Sequence, residues 1–225
     1  MRAIRKSRPG PGLDVVDVPR PTIGAIMDPM GNAFHTVLTG TEVPGGVVLV
    51  VGCGPIGCFA VGIARAAGAS KVIATDVNPT RLELARAMGA HLLLNPERED
   101  VVARVREETK GEGADVVCEM SGHPTALRQA FRAARLGGRI QLLGLPKGEV
   151  ALDLSNELIF KGLTVYGVIG RRMYETWHQM RTFLGSGRFD PTPVITHRFP
   201  LEGIHDALDA IATGAAGKVI LEIGD

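Results

Sequence analysis

From Val47 onward, short unbroken apolar runs alternate with stretches in which apolar residues recur every three or four positions. Val47–Val51 is continuous hydrocarbon ending at Gly52, the pattern of a strand buried on both faces of a parallel sheet. Behind it, Ile56, Phe59, Ala60, Ile63, Ala64 and Ala67 fall on one helical face, and Gly68 closes that helix. Lys71–Thr75 reads as a second strand. Asn78 then supplies an N-cap and Pro79 a first helical residue, with Leu82, Ala85 and Met88 turned inward.

The same rhythm predicts a third strand at His91–Leu94, a helix over Asp100–Glu108 with Val101, Val102 and Val105 inward, and a fourth strand at Ala114–Glu119. Pro124 opens a helix that buries Leu127, Ala130, Phe131 and Ala134 and ends at Gly137-Gly138. Arg139–Leu143 and Leu163–Val168 complete a set of six strands. Strands alternating with helices of this length imply an α/β chain with a doubly wound parallel sheet, ordered 3-2-1-4-5-6.

The flanks differ. Residues 1–24 are rich in Pro, Gly and Arg, and Leu13–Val18 reads as an edge strand of something the rest of the sequence does not supply. After the sixth strand come an amphipathic helix (Met173, Trp177, Met180, Leu184) and a Pro-containing link at Asp190–Pro193. A strand near Val194–His197, a helix with Ile204, Ala207, Leu208 and Ile211, and a strand at Lys218–Ile223 finish the chain.

Composition narrows the function classes. The 225 residues are 45% hydrophobic and 22% charged, with a net charge of +1, so no basic field invites nucleic acid. No apolar run reaches the length of a membrane span, and the basic N-terminus lacks the apolar stretch of a signal peptide; a cytoplasmic protein is expected. Cys53, Cys58 and Cys118 sit in apolar stretches without metal-ligand spacing, as reduced core residues do.

The chemistry concentrates in Gly52-Cys53-Gly54-Pro55-Ile56-Gly57, a G-x-G-x-x-G pattern that gains meaning from following a strand and opening a helix. Gly52 permits the tight turn, Gly54 lets the backbone approach a pyrophosphate, and Gly57 allows close packing of helix on strand. The first N–H groups of the helix then face the phosphates. Asp76, ending the second strand, is placed to bind the ribose of NAD and to repel the 2′-phosphate of NADP; Arg81 flanks the adenosine. At the carboxyl ends of strands five and six, Leu143-Gly144-Leu145 and Val168-Ile169 are candidates to hold the nicotinamide end.

At this point the chain resembles the zinc-dependent L-threonine 3-dehydrogenases of the medium-chain alcohol dehydrogenase superfamily. The resemblance rests on Met27–Thr36, the Gly52–Gly57 loop, Asp76–Pro79 with Arg81 and Leu82, and Glu119-Met120-Ser121-Gly122. Further pieces are Phe160–Leu163, Gly170-Arg171-Arg172, Glu175-Thr176-Trp177 and Thr196-His197-Arg198. It implies that Ile56, Asp76, Arg81, Leu143, Gly144, Leu145, Val168 and Ile169 contact NAD, and that Asp28 matches the acidic residue supporting a proton relay near a catalytic zinc. It also implies oxidation of the secondary alcohol of L-threonine, an amino-alcohol substrate, with hydride passing to NAD+. A homodimer or homotetramer, paired through the sixth strand around Thr164, Tyr166 and Val168, is implied as well.

The departure from that family is large. Its Cys-Gly-Thr-Asp-x-His and Gly-His-Glu motifs and its four-cysteine lobe are missing from this sequence, and Pro21–Gly24 runs straight into Ala25–Asp28. A domain-sized piece, on the order of 100 residues, is therefore expected to be absent. Residues 1–24 and 194–225 are read as remnants of a GroES-like catalytic domain around an NAD-binding unit at 25–193. The six histidines (His35, His91, His123, His178, His197, His205) show no metal spacing, so no metal ligands are assigned. Three readings stay open. The chain is an oxidoreductase that keeps NAD binding without zinc-dependent turnover, or an NAD(H)-binding sensor, scaffold or domain-deleted module. The third reading is a dehydrogenase using Asp28 or His35 as base, against which stands the lack of a lysine partner for Tyr166 or Tyr174.

Overall fold

The computed structural model describes residues 2–5, 14–17, 26–40, 43–214 and 216–222. Its centre is a six-stranded parallel sheet built from β3 (Val47–Val51), β4 (Lys71–Thr75), β5 (Leu92–Leu94), β6 (Ala114–Glu119), β7 (Ala134–Leu142) and β8 (Thr164–Gly167). The order β5-β4-β3-β6-β7-β8 is the expected 3-2-1-4-5-6. The sequence order reverses beside β3, so a crevice opens where its carboxyl end meets those of β4 and β6.

Side chains that alternate along a strand go to opposite faces, and this sheet needs both faces apolar. Val48 and Val50 join Val72, Ala74, Val116 and Cys118 in one core beneath α1 (Met27–Leu38), α2 (Pro55–Ala66), α3 (Pro79–Ala87) and α6 (Glu175–Gly185). Leu49 and Val51 join Ile73, Val117 and Ile140 in the other, beneath α4 (Val101–Glu108) and α5 (Pro124–Ala133). Phe34 of α1 meets Phe183 of α6 edge to face at 4.9 Å, tying the outer helices of the first layer together. No helix among the described residues is long and apolar enough to cross a membrane.

Several elements differ from the sequence reading. Gly137-Gly138 does not end the fifth helix. α5 stops at Ala133, where Lys161 Nζ donates to the carbonyls of Phe131 (2.6 Å) and Arg132 (3.2 Å), and the glycines lie inside β7. Met173 precedes α6 rather than forming its inner face and is 50% exposed. The expected strand at Leu13–Val18 does have a partner: β2 (Asp14–Asp17) pairs antiparallel with β1 (Arg2–Arg5). Most of the 1–24 segment otherwise lies outside the described residues.

At the other end, β9 (Ile195–Pro200), α7 (Ile204–Ala212) and β10 (Lys218–Glu222) form a parallel two-stranded unit separate from the large sheet. On α7, Ala207 is buried, while Leu208 and Ile211 are 47% and 54% exposed. A two-stranded sheet covers one stripe of a helix and no more. Asn78 Nδ2, donating to the Gly214 carbonyl at 2.8 Å, links this unit to the cap of α3.

Replacing fully buried Phe59 by Ala is expected to cost about 3–5 kcal/mol, whereas Ile211→Ala stays within about 0.5 kcal/mol. Urea unfolding of the two variants checks the contrast. Equal losses would mean that the outer face of α7 is packed in solution.

Candidate cofactor-binding site

The carboxyl ends of β3, β4, β5 and β6 surround a cleft of about 540 Å³, within the range of small-molecule sites. The glycine loop forms one wall. Gly52 holds φ at +92°, a left-handed conformation that a side chain disfavours, and its N–H donates to the Thr75 carbonyl at 2.8 Å. A methyl group on Gly57 would lie 1.9 Å from the Gly52 carbonyl oxygen, so α2 can start this close to β3 only with glycine there. Gly54 is different: a methyl group there would meet nothing within 4 Å. Its freedom from protein contact is the space a ligand's phosphates need.

Pro55 stands in the first turn of α2, where its missing N–H costs nothing. No side chain caps that helix, and its first turn carries no acidic residue. By contrast, α3 and α4 are capped by their own Asn78 and Asp100. The first N–H groups of α2, Ile56 and Gly57 included, are therefore left to an anion, favoured also by the helix dipole.

Asp76 is 9% exposed and accepts two backbone hydrogen bonds, from Cys53 N–H (2.7 Å) at Oδ2 and from Asn78 N–H (2.8 Å) at Oδ1. A carboxylate has about four acceptor positions, so two stay available to ribose hydroxyls. The sequence reading missed this second duty, which ties the glycine loop to the end of β4. Arg81 lines the same cleft, and its Nε is buried without a partner. An orphaned guanidinium nitrogen beside an uncapped helix and an open glycine fits an adenosine diphosphate group.

Glu119 belongs to one of the segments that carry the resemblance, but the sequence assigns it no role. It is completely buried and accepts from the Ser121 hydroxyl, from Ser121 N–H (3.0 Å) and from Gly122 N–H (3.0 Å). Burial pushes its carboxyl pKa up, while the Ser121 and Gly122 hydrogen bonds pull it down. Its main-chain carbonyl accepts from Leu143 and Gly144, both at 3.0 Å. Gly144 packs so near that a methyl group would lie 2.2 Å from Gly122 N. These contacts set the loops after β6 and β7.

The remaining candidates lie beside the cleft on the same sheet edge. Leu145 and Ile169 are 89% and 91% exposed, and Val168 is buried with its N–H on the Leu142 carbonyl. Asp28 pairs with Arg171, whose guanidinium lies 5.7 Å from the Trp177 ring centre, and His35 Nδ1 is 3.0 Å from the Gly170 carbonyl. Among the described residues no three His, Cys, Asp or Glu side chains gather as metal ligands. The three cysteines are buried, and burial raises the thiol pKa of Cys58 and Cys118 to about 12. The donor set described here does not fit a zinc ion.

Residues 55–186 match the family described as zinc-binding dehydrogenase. The chain belongs to that family. Among curated relatives, L-threonine 3-dehydrogenase of Bacillus licheniformis is 51% identical over 199 residues, covering 88% of this chain and 57% of that protein. The Bacillus subtilis L-threonine 3-dehydrogenase is 50% identical, over 89% of this chain and 58% of its own length. Among solved structures, alcohol dehydrogenase TADH from Thermus sp. ATN1 superposes with a TM-score of 0.81 at 32% identity, covering 94% of this chain and 63% of that one. The 2R,3R-butanediol dehydrogenase of Bacillus subtilis gives a TM-score of 0.81 at 28% identity, covering 88% of this chain and 57% of that one. The chain thus spans about 57% of the length of the first of these relatives.

Two glycines should separate architecture from ligand space. Gly57→Ala is expected to lower the melting temperature by several degrees, since overpacking costs about 1–3 kcal/mol. Gly54→Ala, with φ at −62° and open space around it, should leave the melting temperature nearly unchanged. Differential scanning calorimetry of both variants decides it. Glu119 gives a pH test. Because its folded pKa is raised, protonation relieves a buried charge, and Glu119→Gln does not titrate. The stability of wild type relative to Glu119→Gln should therefore rise as pH falls from neutral through the carboxylate range. A pH-independent difference would show that folding does not raise the Glu119 pKa.

Proposed function

We propose that this chain is the NAD(H)-binding part of an oxidoreductase of the L-threonine 3-dehydrogenase type, and that it does not by itself perform zinc-dependent turnover. The observation that carries the reading is the single cleft shared by the open Gly54, Asp76 and Arg81, at the foot of an uncapped α2. In this reading the α2 N-terminus and Gly54 hold the pyrophosphate, Asp76 accepts from the ribose hydroxyls, and Arg81 flanks the adenosine. Leu143, Gly144, Leu145, Val168 and Ile169 then border the nicotinamide. Bound NAD+ supplies a hydride acceptor for a secondary alcohol such as that of L-threonine.

The second reading, an NAD-binding module without catalysis, draws support from the zinc-incompatible donor set and from Asp28, whose carboxylate is engaged by Arg171. Residues 1–24 and 194–225 are assigned to a second domain. β8, which has β7 as its one sheet neighbour among the described residues, is assigned to a homo-oligomer contact with Thr164 and Tyr166 near the axis.

Isothermal titration should show NADH binding and much weaker NADPH binding, because a 2′-phosphate would face the Asp76 carboxylate. Asp76→Ala should lower NADH affinity at least tenfold and narrow the preference. Equal affinity of the unaltered chain for both cofactors would sink the assignment. Elemental analysis should find no stoichiometric zinc, with no threonine oxidation above background. Light scattering should return a multiple of 23.8 kDa; a monomer at micromolar concentration would remove the oligomer proposal.

A further inference from the structure

The loops after β3, β4, β6 and β7 are each fastened to a neighbouring strand end. Gly52 N–H donates to the Thr75 carbonyl, Asp76 N–H to that of Leu94, Met120 N–H to that of Val51, and Leu143 and Gly144 N–H to that of Glu119. The loop after β8 receives one such bond, Val168 N–H on the Leu142 carbonyl at 2.8 Å, and there the support from the sheet stops. β7 is the one sheet neighbour of β8 among the described residues. Ile169, 91% exposed, follows, and Gly170 turns the chain at a φ of +52°. What holds this loop comes from another layer.

That layer is α1. Its His35 Nδ1 lies 3.0 Å from the Gly170 carbonyl, across 135 residues of sequence. A carbonyl only accepts, so Nδ1 is the nitrogen that carries the proton, and it does not act there as a base. Gly31 lets α1 approach: a methyl group at that position would lie 3.1 Å from Arg171 Cδ. Asp28 pairs with Arg171, but its side chain is 62% exposed, and pairs of that kind hold little. Thr176 of α6 fixes the far side of the loop, its Oγ1 (2.7 Å) and its N–H (3.0 Å) both donating to the Arg172 carbonyl. Between Val168 and Arg172, the half-buried His35 is the clasp on Ile169-Gly170.

His35 does not serve to fill the core. It borders a cavity of about 270 Å³ between α1 and α6, with Phe34, Leu38, Glu175 and Gln179 on its walls. A smaller side chain enlarges an existing hollow rather than opening one in packed hydrocarbon, so the loop feels the loss first.

We infer that His35 is a positioning residue for the nicotinamide end of the dinucleotide: by holding the Gly170 carbonyl it sets Val168 and Ile169 where they border the ring. This rests on the NAD(H) reading above. Without the clasp the loop samples several arrangements, and affinity for a ligand that needs one of them falls with the fraction of chains that hold it. The adenosine diphosphate end, at Gly54, Asp76 and Arg81, belongs to other strand ends and does not depend on the clasp.

The test compares NADH with ADP-ribose, which lacks the nicotinamide ring and keeps the rest. Calorimetry on the unaltered chain should show NADH binding more tightly than ADP-ribose. In His35→Ala, NADH affinity should fall toward that of ADP-ribose by about fivefold, the scale of one hydrogen bond, while ADP-ribose affinity stays within about twofold. His35→Asn, whose Nδ2–H reaches the place of the imidazole Nδ1–H, should restore most of the loss. A merely structural role would lower both affinities together in His35→Ala, and that outcome overturns the inference. So does an NADH affinity that His35→Ala leaves unchanged, or equal binding of NADH and ADP-ribose by the unaltered chain; each leaves NAD(H) binding intact. Absence of binding of either ligand by the unaltered chain would remove the NAD(H) reading and this inference with it.

Discussion

Two carboxylates at the carboxyl edge of the sheet, Asp76 after β4 and Glu119 at the end of β6, flank the central strand β3 and accept backbone N–H groups from the loops around it. Asp76 takes the Cys53 and Asn78 N–H groups; Glu119 takes those of Ser121 and Gly122. Turns at strand ends leave N–H groups that no ladder can satisfy, and burying them unpaired would cost about 1–3 kcal/mol each. The two carboxylates remove that cost; Asp76 also ties the loop after β3 to the loop after β4, and Glu119 closes the loop after its own strand. The crevice exists because of them. The Asp76 contact, together with the Gly52 N–H on the Thr75 carbonyl, holds Cys53 and the glycine loop against the end of β4.

The two groups reach this role on different terms. Asp76 keeps a sliver of exposure toward the cleft, so its charge remains useful to a ligand. Glu119 has none, and burial raises its pKa even against three hydrogen bonds. One carboxylate keeps acceptor positions open to the cleft, the other faces inward and braces. A ligand of adenosine diphosphate character answers the remaining open valences of this edge, namely the α2 N-terminus and Arg81 Nε.

How much of this was readable beforehand follows from the range of the forces involved. Strands β3, β4 and β6 and the Asn78 and Asp100 caps are written locally, in unbroken apolar runs and in single side chains that bond two or three residues ahead. Gly52, Gly54, Gly57, Asp76 and Arg81 were legible because a spacing of glycines and one acid encodes them. The bracing role of Glu119 was not, since its link to the loop after β7 runs through its main-chain carbonyl, which any residue carries. The error at Gly137-Gly138 has the same origin: the helix end is satisfied by Lys161, 29 residues beyond Arg132, and a distant lysine leaves no local mark. On α7 the apolar spacing marks the helix, of which Ala207 is the buried residue. An apolar stripe records what a helix is built to touch, and the described residues supply only part of that.

The opposite edge of the sheet shows why the open groups are informative. At the amino ends of the strands, backbone N–H groups also point out of the sheet, and there the chain closes them with its own side chains. Asp115 Oδ2 accepts the Val47 N–H at 2.7 Å while its Oδ1 meets Arg135 at 2.5 Å, and His91 Nδ1 accepts the Val72 N–H at 2.8 Å. Burial, with Arg65 next, lowers the His91 pKa, which keeps the ring neutral and its nitrogen able to accept. The same sequence that spends Asp115 and His91 on closing one edge leaves the first turn of α2 bare at the other. Stability alone would favour capping both. An uncapped, glycine-lined helix start beside an acid that still has acceptor positions free leaves backbone donors and carboxylate acceptors open on one cleft, in line with the proposed dinucleotide site.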